Sequence, residues 1–299
     1  MTPGFVLGID FGGTKVALAT MDTAGPVPRV LGRTRLPTAG PGGAQGVLRR
    51  SLAAAGELVA GTGGALTGVG VATIGVVDGE RIRLAPTVPG WEDLDLPRLL
   101  RKEFGGLPLR IDNDVKAATA AELRWGRLSG VSSGLYLNIG TGLGAGIVAG
   151  GRVVPGAHGA AGEIAYLLRT PDEPGFAAGR APLEEHVSGA ALASRGAQLL
   201  GAPVSAAALF ARWREPQVRS LLDESVSALA AAVANLCIAL DPERVVVGGG
   251  LMGAGRPLLK RFRTALDAAV PFPPELTPAR FVDEAALYGA VSLAMDVRS

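Results

Sequence analysis

Two glycine turns and one acidic cluster hold the residues of this chain whose types and spacing could do chemistry. VLGIDFGGTKVALAT, residues 6–20, is an apolar run that stops at Asp10, passes Gly12, Gly13, Thr14 and Lys15, and then becomes apolar again. LNIGTGLGAGIV repeats the device around Gly140, Thr141, Gly142 and Gly144. A glycine turn lets backbone N–H groups reach an anion with no side chain between them. Thr14 adds a hydroxyl donor and Lys15 a positive charge, so the first turn suits a phosphate. Asp10 would repel that phosphate unless Mg²⁺, with its waters, stands between them. A plain hairpin also places two glycines in a turn, but two such turns in one chain are harder to dismiss that way. Neither turn matches the GxxxxGK(S/T) or the GxGxxG arrangement of strand, loop and helix. The third feature is RIDND, residues 110–114, where Asp112, Asn113 and Asp114 gather at the change from strand to helix pattern. Such residues cap helices. Strand ends of α/β sheets are also where ligands bind, and a carboxylate there can take a proton from a hydroxyl nucleophile.

The elements that must position these residues follow from the apolar pattern. FVLGID and VALAT read as two strands around a tight turn. A turn-rich loop, TAGPGGAQG, precedes the helical spacing of VLRRSLAAAGELVA. LTGVGVATIGVVDG reads as one strand ending in a turn, and RIRLAPTVPGW as strand or loop. LDLPRLLRKEFG is a short amphipathic helix with Leu96, Leu99, Leu100 and Phe104 on one side. PLRIDND is a strand, and VKAATAAELRWG a helix closed by Gly126. After the second hairpin come a glycine-rich segment with acids, residues 155–185, and a mostly helical stretch, residues 186–240. ERVVVGGGL is a strand entering a turn at Gly248, Gly249 and Gly250, and DEAALYGAVSLAMDV is a C-terminal helix. Alternating strands and helices make the chain α/β. The repeated hairpin predicts two related halves with a cleft between them. The expected domains are a small one over 1–115, completed by the C-terminal helix at 284–299, and a large one over 116–283.

Composition bounds the function. The chain has 299 residues, 48% apolar and 19% charged, which is globular in character. A net charge of +2 gives no large field toward nucleic acid or an anionic membrane. The single cysteine, Cys237, allows no disulfide within the chain and no multi-cysteine metal site. The N-terminus lacks the basic segment and apolar core of a signal peptide. The apolar stretch near 226–240, interrupted by Ser227 and Asn235, is shorter than the ~20 residues that span a bilayer. The expectation is a soluble cytoplasmic protein with neither nucleic acid nor membrane as partner.

DFGGTK, DNDVKAATAAE, LNIGTGLGAGIV, GAAGEIAY, LEEHVSGAAL and DPERVVVGGGL, in this order, resemble the motifs of the ROK family (repressor, open reading frame, kinase), which includes bacterial glucokinases. The resemblance covers nearly the whole chain. It implies a two-domain actin-like ATPase (ribonuclease H-like) sugar kinase fold and ATP-dependent phosphorylation of a hexose at the 6-hydroxyl, with Mg²⁺. Position by position, it makes Asp114 the general base and Asn113 a sugar contact. Glu163 and Glu184 become the carboxylates that hold the sugar ring, with Tyr166 beside them. Asp10, Gly12, Gly13, Thr14, Lys15, Gly140, Thr141 and Gly142 fall on the phosphate side, with Asp10 toward Mg²⁺ through water. Gly248, Gly249 and Gly250 fall near the nucleoside.

The departures from the family pattern carry expectations of their own. Tyr166 stands where the family usually has His, and LLRTPDEPGFAAGRAPLEEH replaces its CxCGxxGC zinc motif, so no zinc is expected. His158 and His186 lie away from the zinc position, and Thr87 stands where many members have Asn. The resemblance implies that Tyr166 and the metal-free segment after it reshape the C1–C3 side of the sugar, which leaves an amino sugar (glucosamine, kanosamine or N-acetylmannosamine) as the alternative to glucose. A DNA-binding repressor of the family would need a helix-turn-helix domain ahead of the first turn, which begins within ten residues of Met1. A non-catalytic sugar sensor is the other rival; the presence of Asp10 and Asp114 argues against it. A homodimer is compatible with the family.

Overall fold

The structure, a computed structural model, describes residues 4–251 and 255–296. Its contacts divide the chain into two compact units. The first comprises Met1–Ser129, Val153–Ala161 and Glu284–Ser299; the second comprises Gly130–Arg152 and Gly162–Asp283.

In the first unit β1 (Gly4–Phe11) and β2 (Lys15–Asp22) form the expected antiparallel hairpin, with Asp10 opposite Ala17 and Phe11 opposite Val16. β3 (Arg29–Pro37) pairs antiparallel with β2. The apolar pattern gave no sign of β3, because it is an edge strand whose Arg29, Leu31, Arg33 and Arg35 face outward. Charged outward positions of this kind protect an open edge from pairing with another chain. After α1 (Gly43–Gly61), β4 (Ala65–Thr73) runs parallel to β1. LTGVGVATIGVVDG is not one strand. Gly75, at φ +80°, takes a backbone conformation that side chains resist, and the chain turns there into a ribbon of β5 (Val76–Asp78) and β6 (Arg81–Arg83). The loop beyond it is pinned by Trp91, only 1% exposed. Its Nε1 donates to Thr73 Oγ1 at 2.9 Å, and its ring centroid lies 5.1 Å from that of Phe11. α2 (Leu96–Phe104) leads to β7 (Leu109–Asn113), parallel to β4, and then to α3 (Asp114–Trp125). The first sheet is ordered β3-β2-β1-β4-β7.

The second unit opens with β8 (Gly134–Ile139) and β9 (Leu143–Ala149), an antiparallel pair, and β10 (Arg152–Val153). Two 3₁₀ turns, Ile164–Tyr166 and Phe176–Ala178, precede α4 (Glu184–Val187), α5 (Gly189–Leu200), α6 (Ala206–Ala211) and α7 (Pro216–Leu240). β11 (Arg244–Gly248) runs parallel to β8, and after α8 (Gly255–Ala269) β12 (Glu275–Pro278) runs parallel to β11. The order β10-β9-β8-β11-β12 repeats that of the first sheet strand for strand. α7, at 25 residues, is longer than the apolar stretch that marks it, because a polar first turn and a mixed second turn precede that stretch. Val218, Leu222, Leu229, Val233 and Cys237 bury it in the core of this unit. That burial pushes the Cys237 thiol up to about 11, so it is an inert core side chain.

α9 (Ala285–Asp296) belongs to the first unit, packed on β1, β4 and α3. The expected boundary at 115 would cut α3 after its second residue. α3 instead stays with the first unit, whose first segment ends at Ser129.

Candidate active site

In the first unit the turn between β1 and β2 closes through Gly12 N–H to Lys15 O, 3.0 Å. Thr38, the residue after β3, holds the turn from one side. Its N–H donates to Thr14 O at 3.0 Å and its Oγ1 to Gly12 O at 2.7 Å. With those carbonyls held, nothing among the described residues accepts from the N–H groups of Gly13 and Thr14. Paired free amides of this kind form a nest for an anion. Sequence reasoning missed Thr38. The signal lay in β3, since pairing of Lys15 with Pro37 sets residue 38 across from Thr14.

Asp10, the next-to-last residue of β1, lies opposite Ala72, and Asn113 ends β7 opposite Thr73, so the acids sit toward the C-terminal ends of parallel strands. Asn113 does cap α3, its Oδ1 accepting from Lys116 N–H at 2.9 Å. Asp114 Oδ1 accepts from Val115 N–H at 2.9 Å. Burial raises Asp114 to about 6, against the pull of the Val115 N–H and the Lys116 ammonium. Asp10 rises to about 7, first through burial and then through the charge of Asp114, with Lys15 opposing. Asp112 is likewise raised by burial. Lys116, 2% exposed, is a second residue the sequence did not mark.

Asp10 Oδ1 is buried without a hydrogen-bond partner. A carboxylate oxygen without a donor, next to a second carboxylate, can be satisfied by a proton or by a cation. Mg²⁺ fits such a donor set, because it takes one or two carboxylates and completes its shell with water and phosphate oxygens. The described residues contain no cluster of three or more His, Cys, Asp or Glu that would make an all-protein cage.

In the second unit the turn 140–142 is built the same way. Gly140 N–H donates to Gly142 O at 3.0 Å. The first amides of α5 hold the carbonyls: Gly189 N–H to Gly140 O at 2.8 Å and Ala190 N–H to Thr141 O at 3.3 Å. No described residue accepts from the Thr141 or Gly142 N–H. Glu184 Oε2 accepts from Leu143 N–H at 2.7 Å. The triple glycine adjoins this turn. Gly248 pairs with Asn138 in the sheet, and Gly249, at φ +90°, packs its backbone on Ile139.

Glu163 precedes the turn Ile164–Tyr166, which Ala145 N–H to Gly162 O, 2.9 Å, ties to β9. The same turn packs against α4. The Tyr166 ring meets Phe176 edge to face at 5.4 Å, and Phe176 is 62% exposed. The segment after Tyr166, where the resemblance gives an expectation of no zinc, carries the ion pairs Arg169–Glu173 and Arg180–Glu185. Those pairs separate the two neighbouring acids. The Arg180 guanidinium holds Glu185 below its usual range at the surface, while burial pushes Glu184 up beside the turn.

Asp10, Gly12, Gly13, Thr14, Lys15, Asn113 and Asp114 therefore belong to the first unit. Gly140, Thr141, Gly142, Glu163, Tyr166, Glu184, Gly248, Gly249 and Gly250 belong to the second. One set can hold an anion beside a base, the other an anion beside carboxylates suited to hydroxyl or ammonium donors.

Residues 6–297 match the model of the ROK family. The chain is 32% identical over 296 residues to an N-acetylmannosamine kinase of Shigella boydii, covering 96% of this chain and 97% of that protein. It is 30% identical over 292 residues to a glucokinase of Halalkalibacterium halodurans, covering 90% and 87%. The crystal structure of a ROK family glucokinase from Streptomyces griseus, in complex with glucose and AMPPNP, superposes with a TM-score of 0.80 at 26% identity, over 98% of this chain and 100% of that one. The doubled sheet order and this likeness make the fold the actin-like ATPase fold.

Proposed function

We propose, because this chain belongs to the ROK family, that it is an ATP-dependent kinase of a hexose or amino sugar, with a glucose-type hexose phosphorylated at O6 as the first reading. The observation that carries the chemistry is the pair of interacting carboxylates, Asp10 near the end of β1 and Asp114 at the start of α3, in the same unit as a turn with free amides. The sugar hydroxyl oxygen bonds to the γ-phosphorus, the bond from phosphorus to the bridging oxygen breaks, and its electron pair leaves with ADP. Asp114, with a pKa of about 6, is ionised at neutral pH and takes the hydroxyl proton. Asn113 keeps its Nδ2 donor for a sugar oxygen, because capping uses its Oδ1. Glu163 and Glu184 accept from ring hydroxyls, and Tyr166 flanks them.

The amides of residues 13–14 and 141–142 hold phosphate oxygens, with Lys15 adding charge, and the backbone of Gly248–Gly250 passes the nucleoside. Mg²⁺, held by Asp10 directly or through water, would screen the β- and γ-phosphate charge. Use of ATP supports a cytoplasmic setting for the reaction.

The paired acids of the second unit favour a second reading. A protonated amine on the sugar would gain charge-assisted hydrogen bonds from Glu163 or Glu184. N-acetylmannosamine, the substrate named for one relative, carries an amide instead and tests steric tolerance beside Tyr166.

ADP release is measured with Mg²⁺ and ATP against glucose, mannose, glucosamine, kanosamine and N-acetylmannosamine under one set of conditions. Release with at least one of them, well above the sugar-free rate, is expected. No release with any of them, from protein that binds AMPPNP, would instead support the sugar-sensor reading. A kcat/KM for glucose about ten-fold above every amino sugar ends the second reading.

A further inference from the structure

Glu184 does more than present a carboxylate to a sugar. Its Oε2 is committed to Leu143 N–H, the first residue of β9 and the end of the phosphate-binding turn. The approach is close: a Cβ at Gly142 would lie 2.8 Å from that oxygen. The same short segment grips the turn twice more, through the N–H groups of Gly189 and Ala190. A Cβ at Gly189 would lie 2.8 Å from Gly140 O, so glycine is what allows α5 to start this near. The segment is fixed in its own unit. Ser188 N–H donates to Glu184 O at 3.0 Å, and the His186 carbonyl accepts from Arg195 Nη1 at 2.9 Å and from Ser225 Oγ of α7 at 3.1 Å. Glu184 Oε1 has no hydrogen-bond partner among the described residues, and an ionised carboxylate has lone pairs for several donors.

We propose that Glu184 is a positioning residue for the phosphate-binding turn as well as a sugar contact, so that sugar and nucleotide binding are coupled through this one carboxylate. This rests on the kinase reading above. A sugar hydroxyl donated to Oε1 fixes the carboxylate plane, and Oε2 passes that order to Leu143 and Gly142. By linkage, the sugar then tightens nucleotide binding by the factor by which nucleotide tightens sugar binding.

The test is the affinity of the full chain for AMPPNP with Mg²⁺, by calorimetry, with and without saturating sugar (the best substrate of the panel above). Three variants separate the bond from the charge. E184Q keeps a carbonyl oxygen for the Leu143 N–H and loses the charge. E184A loses both. E184D keeps the charge and loses the reach, and it serves alone if E184A does not fold. Without sugar, E184Q should bind AMPPNP within about two-fold of the unmodified protein, and E184A and E184D about ten-fold more weakly. The tightening by sugar seen in the unmodified protein should be absent in E184A and E184D. Folded E184A or E184D that binds AMPPNP like the unmodified protein overturns the coupling. So does E184Q as weak as E184A, because the loss then follows charge. Unmodified protein that binds no AMPPNP at all overturns the kinase reading and this one together.

Discussion

Asp10→Asn keeps the shape of a buried side chain and removes its charge, and its effect on stability has a definite sign. Asp10 rises from 3.8 to about 7 on folding. The folded state therefore holds the proton more tightly than the unfolded chain. The stability this contributes is fully present below about pH 4 and is lost as pH rises through about 7. Complete loss corresponds to roughly 4 kcal/mol. Asp114, the second cause of the rise, shares that sum. Replacing Asp10 removes both the burial penalty and this repulsion, but the amide put in its place must itself be buried, so the net recovery should be smaller, about 2 kcal/mol, or a few degrees in Tm.

Thermal unfolding followed by circular dichroism in EDTA, at about pH 5 and pH 8, reads the difference. At the lower pH the gap should be less than half its full size but not closed, because the unfolded chain's Asp10 is already ionised there while the folded chain's is protonated. At the higher pH the Asn variant should melt higher. Mg²⁺ with ATP should narrow that gap by stabilising the unmodified protein more. A gap of the same size at both pH values, or a variant that melts lower at the higher pH, would refute the reasoning that burial and Asp114 raise Asp10 in the folded protein.

Asp114 must be ionised to accept a proton, so kcat/KM for the sugar should rise with pH through about 6 and then level off; a flat profile between about pH 5 and 8 would contradict this. Thr38→Val removes the hydroxyl that holds Gly12 O and leaves the N–H bond to Thr14 O, so KM for ATP should rise about five-fold with the sugar KM unchanged. Equal KM values for ATP would show that the hydroxyl does not shape the turn. Activity removed by EDTA should return with Mg²⁺ alone, and elemental analysis should find no stoichiometric zinc; one zinc per chain would contradict the reading of the segment after Tyr166.

Most of the first-unit site could be read from the sequence because its residues are contiguous. The turn at 12–14 and the acids at 112–114 carry their chemistry in neighbouring positions, and the strand ends that hold them follow from apolar runs. What the sequence hid was long-range pairing. Thr38 acts on a turn some 24 residues earlier in the chain through a charged edge strand with no apolar alternation. Lys116 looks like a helix-surface residue, yet it is buried and its charge acts on Asp112 and Asp114. Glu184 was distinguished from Glu185 by motif register alone; the fold supplies the physical reason, one acid against Arg180 and the other against Leu143 N–H. The domain boundary was misplaced because a strand end looks like a natural break, whereas α3 has its partner in α9, whose first residue lies some 160 residues beyond its end.

The role of Asp114 in the transfer itself is tested most directly by single-turnover phosphoryl transfer from radiolabelled ATP to the best sugar of the panel, in the unmodified protein and in Asp114→Asn. The affinity of each for the sugar is measured on the same preparations. Asn fills the same space but cannot take the proton, so the transfer rate should fall by about 10²-fold or more. The sugar Kd should stay within several-fold. A transfer rate within about ten-fold of the unmodified protein, at equal sugar occupancy, would remove Asp114 from the chemistry and with it the proton acceptor on which the proposed reaction depends.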